Sequence, residues 1–130
     1  MTLTVNDIAY KSHFTNKTGY HLEKYKVNHN VKIGVDATLV VHLVNNGRID
    51  TVKEQFKSYG PSKNVYILYN EGYKSGKKRS CITNAAIDII DCYLYLFEFA
   101  KANNFNNILV LEDDFFFRTS YFKSNTSKTY

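Results

Sequence analysis

Three carboxylates stand in a row at Glu112-Asp113-Asp114, directly after the apolar run Ile108-Leu109-Val110-Leu111. Consecutive acids repel one another, and ionising all three is costly unless something positive sits among them. A divalent cation does this naturally. It takes one or two protein carboxylates and completes its shell with water and substrate phosphate oxygens. Side chains alternate along an extended chain, so Glu112 and Asp114 are expected on one side and Asp113 on the other. The chemistry implied is Mn²⁺ or Mg²⁺ held by Glu112 and Asp114 against a nucleotide diphosphate, leaving Asp113 to bond backbone or a lysine. The competing reading is a solvated acidic turn.

An apolar strand followed by an acid also matches a Walker B element, which requires a phosphate loop upstream. The candidate loop is Gly72-Tyr73-Lys74-Ser75-Gly76-Lys77-Lys78. It has three residues between its glycines where four are required, and Lys78 stands where Ser or Thr would bind magnesium. A P-loop NTPase is therefore excluded. His13, His21 and His29 recur every eight residues, but no carboxylate or cysteine joins them at a zinc-ligand spacing, so they read as exposed imidazoles. Cys81 and Cys92 fall in one predicted helix, roughly 16 Å apart along its axis and beyond disulfide reach. They read as buried thiols of a reducing compartment.

The elements that must carry these groups follow from the hydrophobic period. Thr38-Leu39-Val40-Val41-His42-Leu43-Val44 is nearly continuous β-branched and aliphatic sequence, as in a strand buried on both faces. Asn45-Asn46-Gly47 breaks it with turn-forming residues. Ile49, Val52, Phe56 and Tyr59 then mark one face of a helix, which Gly60-Pro61 stops. Val65-Tyr66-Ile67-Leu68-Tyr69 is a second strand, ended by Asn70-Glu71-Gly72. After a basic loop, Ser80 is placed to cap a long helix carrying Ile82, Ala85, Ala86, Ile89, Tyr93, Leu96, Phe97 and Ala100, closed at Asn103-Asn104. Ile108 to Leu111 is the third strand. This alternation predicts an α/β fold with a mainly parallel sheet built by right-handed crossovers, binding its ligand at the carboxyl ends of the strands. Asn45-Asn46-Gly47-Arg48, Asn70-Glu71 and Glu112-Asp113-Asp114 all fall at those ends.

Bulk properties agree with a single globular unit. The chain has 130 residues, 44% hydrophobic and 22% charged, enough for one core and too few for two packed domains. A net charge of +5 favours phosphate-bearing ligands. Its charges are scattered apart from Lys74, Lys77, Lys78 and Arg79, which argues against a nucleic-acid partner. The amino terminus lacks the pattern of a signal peptide. The richest apolar stretch, Ile82 to Phe99, contains Asp88, Asp91 and Glu98, so no membrane span is expected. A soluble cytoplasmic protein follows, in which the sequons at Asn16 and Asn125 carry little weight.

Thr38 to Phe117, about eighty residues, resembles the first half of GT-A glycosyltransferases, in particular the family 25 group related to lipooligosaccharide and collagen galactosyltransferases. Arg48 stands where that family has an arginine-bearing turn after its first strand. Cys81 matches the cysteine of its Gly-Cys-x-x-Ser-His segment, although Asn84 and Ala85 replace Ser and His. Leu111-Glu112-Asp113-Asp114 repeats its Leu-Glu-Asp-Asp in full. The resemblance implies a Rossmann-like, truncated GT-A half of hexosyltransferase type that binds a nucleotide-sugar, a UDP-sugar above all. It divides the chain into an N-terminal extension (1–34), the nucleotide-sugar-binding domain (35–118) and a flexible tail (119–130). It assigns donor contacts to Asn45, Arg48, Asn70, Glu71, Glu112 and Asp113, the metal to Glu112 and Asp114, and phosphate neutralisation to Arg48 with Lys77, Lys78 and Arg79. The family's catalytic base and its glycan or protein acceptor site lie beyond the acidic motif. Here Phe115 to Tyr130 contains no carboxylate or histidine, so transfer by this stretch alone is not expected. The rival expectation is a small non-catalytic α/β interaction module, with Phe115-Phe116-Phe117 as its surface for self-association.

Overall fold

The computed structural model describes residues 19–27 and 34–117. His13, His29, both sequons and the expected tail lie outside them. The elements are β1 (Tyr20–Tyr25), β2 (Ala37–Leu43), α1 (Ile49–Ser58), β3 (Asn64–Asn70), a single 3₁₀ turn (Tyr73–Ser75), α2 (Ala85–Ala102) and β4 (Ile108–Glu112). They form one four-stranded sheet in the order β1-β3-β2-β4. β2 pairs in parallel with both β3 and β4, and β1 lies antiparallel on β3. The α/β class and the mainly parallel sheet are as the alternation predicts. Residues Tyr20–Tyr25, read from sequence as part of an extension holding a short strand or two, form an antiparallel edge strand of this sheet.

β2 occupies the centre because its side chains satisfy two apolar environments at once. Ala37, Leu39 and Val41 pack with Leu68 of β3 against Cys92, Leu96 and Ala100 of α2. Val40, with Val65 and Ile67 of β3, packs on the other side against Val52 and Phe56 of α1. The two helices therefore cover opposite faces, as right-handed crossovers require when the chain steps from β2 out to β3 and then back past β2 to β4. Leu39, Val40, Val52, Phe56, Ile67 and Leu68 are fully buried, and each such side chain contributes roughly 1.5–3 kcal/mol.

α2 starts later than the sequence suggests. Arg79 to Ile82 closes a turn of its own, with the Ile82 N–H donating to the Arg79 carbonyl at 3.0 Å. Asn84 is the actual N-cap; its side chain accepts from the Ile87 N–H at 2.9 Å. Cys81 consequently precedes the helix, so the helical spacing assumed between the two cysteines does not apply; both are free thiols. At the far end Asn103 caps α2 and Asn104 turns the chain with φ 59°, the left-handed conformation asparagine tolerates. Among the described residues, no helix is long and apolar enough to cross a membrane.

Candidate functional site

In a doubly wound sheet a crevice opens where the strand order reverses. Here β2 has β3 on one side and β4 on the other, and a cavity of about 410 Å³ is found at the carboxyl ends of β2 and β4. Leu43, Asn46 and Arg48 line it from the β2–α1 turn, and Glu112 and Asp113 from the end of β4. Ala85, Ala86, Asp88 and Ile89 form its wall from the first turns of α2. A somewhat larger cavity, about 490 Å³, lies along the outer side of α1 between Asp50, Glu54, Ser58, Tyr59 and Phe117. Its charged lining, Asp50 and Glu54, includes no basic side chain, whereas the crevice holds Arg48 beside its acids.

The acidic motif does not continue as a strand. The Phe115 N–H donates to the Glu112 carbonyl at 3.1 Å, closing a turn over Asp113 and Asp114. The alternation that was to put Glu112 and Asp114 together therefore stops at Glu112. Asp113, the middle acid, becomes the anchor. Its Oδ2 accepts from His42 Nδ1 at 2.8 Å, Asn46 Nδ2 at 2.6 Å and the Leu43 N–H at 3.2 Å. Its Oδ1 accepts from Arg48 Nη1 at 3.1 Å. Burial alone would push this carboxyl up; the hydrogen bonds from Asn46, His42, Arg48 and Leu43 outweigh it and hold the group below the ordinary carboxylate range. The clamp ties the β2–α1 turn to β4. Asn46 completes it by accepting from the Arg48 N–H at 3.0 Å.

A second polar cluster backs the α2 wall. Asp88 accepts from Lys78 Nζ and from Asn70 Nδ2, at 2.8 and 2.9 Å. The Lys78 side chain is only 1% exposed; its ammonium lies 3.7 Å from Asp91 Oδ2 and 3.6 Å from the Tyr20 ring centroid. The Tyr20 hydroxyl donates to Asp91 Oδ2, while Asp91 Oδ1 has no hydrogen-bond partner among the described residues. Burial raises Asp91 above its usual range, despite Tyr20 and Lys78, and pushes the neighbouring Cys92 thiol up to about 12. That thiol is inert.

The expected site residues divide accordingly. Arg48, Glu112, Asp113 and Asn70 all reach the crevice. Asp113 is 8% exposed with both oxygens occupied, and Asn70 is 4% exposed with its amide shared between Asp88 and the Gly72 N–H. These two shape the site rather than offer free groups. Glu71 pairs with Lys77 at 2.8 Å outside the lining, and Asn45 is an exposed turn residue at φ 63°. Asp114 is exposed on the turn and Glu112 on the crevice rim. Lys78, expected to neutralise phosphate, is spent on Asp88 and Asp91. His42 and Asp88 were not foreseen. His42 was hidden in an aliphatic run, whereas an aspartate on the apolar side of a helix was a readable sign of a buried partner.

Among the described residues no three His, Cys, Asp or Glu side chains gather to hold a metal ion. Of the crevice carboxylates those of Asp88 and Asp113 are taken, which leaves Glu112 on the rim, with Asp114 exposed on the turn outside the lining. So few free donors suit a cation that arrives with ligands of its own rather than a resident metal. No protein-family model, curated protein or solved structure matches this chain.

Proposed function

We propose that the crevice binds the diphosphate of a nucleotide-sugar, with Mn²⁺ or Mg²⁺ shared between the phosphates and Glu112 and Asp114, as in the donor half of a GT-A glycosyltransferase. One observation carries this reading: a guanidinium and a rim carboxylate, from loops of different strands, face one cavity at the β2/β4 switch point. Arg48 is half exposed even while bonded to Asp113, so its remaining N–H groups can meet phosphate oxygens. The first turn of α2 adds the unsatisfied amides of a helix start on the opposite wall. A bound cation would offset the charge that a diphosphate brings against Glu112 and Asp114. Asp113 acts through its neighbours, holding Asn46 and Arg48 in place.

Calorimetry with UDP tests the reading. Heat of binding is expected with Mn²⁺ present and absent without it, and Glu112→Gln, on the exposed rim, should abolish the signal while leaving the melting temperature unchanged. Metal-independent binding, or none, contradicts the proposal.

A further inference from the structure

Among the described residues β4 is the edge of the sheet: β2 bonds one side of it and no described strand bonds the other. Edge strands are ordinarily protected by lysine, proline, a bulge or brevity, because their free N–H and C=O groups invite another strand. Ile108-Leu109-Val110-Leu111 carries no charge and no proline. All four are only half buried, whereas Leu39 and Val40 beside them in β2 are fully buried. α2 extends the apolar strip along this edge. Tyr93 stands by Glu112 at one end of β4, Phe97 shares a cavity with Ile108 at the other, and the two rings stack at 6.4 Å. Ile90 adds 38% exposure on the same helix.

We infer that this edge pairs with the same edge of a second copy, antiparallel across a two-fold axis, so that two four-stranded sheets become one. Charge selects this occupant. Pairing centred on Val110 sets Leu109 against the partner's Leu111 and Ile108 against the partner's Glu112. Beyond the strand it brings exposed Asn106 towards the partner's exposed Asp114, Asp113 being turned inward on its own chain. Each exposed acid thus meets an uncharged side chain, where a parallel approach in register would lay Glu112 on Glu112. The surface is complementary to itself, as a two-fold interface requires.

Light scattering on the full chain should return twice the 15.1 kDa of one copy, and Leu109→Lys, which places a charge on the edge, should return the single mass with an unchanged circular dichroism spectrum. Register is tested by cysteine pairing in a Cys81→Ser background. Val110→Cys brings the two Cα atoms to about 4.5–5.5 Å and should oxidise to a covalent dimer. Ile108→Cys lies about 13 Å from its counterpart and should not. A single-copy mass at the highest soluble concentration overturns the inference. So does a dimer in which Ile108→Cys cross-links as readily as Val110→Cys.

Discussion

Asp113 gathers four donors from β2 and the turn after it, and its substitution should register as stability before it registers as function. Asp113→Asn replaces a charged acceptor by an amide whose NH₂ faces those donors, an expected loss of about 1.5–3 kcal/mol in urea denaturation. The pH dependence has a definite sign. Asp113 is held below its ordinary value of 3.8, so its contribution is complete above that pH and is lost as pH falls through the lower folded value. Wild type should lose this increment on acidification and Asp113→Asn should not. Asp91 behaves oppositely. Its folded value is raised by burial, so the folded state holds a proton longer and stability falls as pH rises from 3.8 through that higher value. Asp91→Asn keeps the neutral shape and should flatten that fall, gaining on wild type at neutral pH in parallel denaturation curves. Neither role was legible in the sequence. A triplet of acids reveals that charge must be compensated, but which member turns inward depends on where the strand ends. Here the Glu112–Phe115 turn decides it.

At the scale of elements, the period of apolar residues carried most of the fold. Thr38–Val44, Val65–Tyr69 and Ile108–Leu111 are strands to within a residue or two, because short runs rich in β-branched and aliphatic residues, bounded by turn formers, suit a strand in a helix-covered sheet. Val52 and Phe56 face the core at the helical spacing expected of them. β1 falls in the extension read as holding a short strand or two, but its place in the sheet was not legible, because its burial is intermediate and its partners in β3 lie forty to fifty residues away, beyond any local period. The start of α2 was misplaced because Ser80 and Asn84 are both good caps, and tertiary contact of Ile82 and the Arg79–Ile82 turn chose between them. Asn84→Ala should therefore cost about 1 kcal/mol and Asn84→Ser far less, whereas Ser80→Ala should cost little, all read from thermal or chemical unfolding.

For the whole molecule, one topological fact organises the rest: the strand order reverses at β2, so the β2–α1 turn and the end of β4 lie side by side near the first turns of α2 and leave a crevice. Arg48, Asn46 and Glu112 share that crevice because β2 and β4 are adjacent and parallel, which puts their carboxyl ends together. The account rests on the crevice holding a metal–diphosphate pair. The most direct measurement is the paramagnetic broadening of backbone amide signals when Mn²⁺ is added to protein saturated with UDP. Broadening confined to Leu43–Arg48, Ala85–Ile89 and Glu112–Asp114, and absent when UDP is withheld, is the predicted result. Broadening centred elsewhere, or none at all, would contradict it.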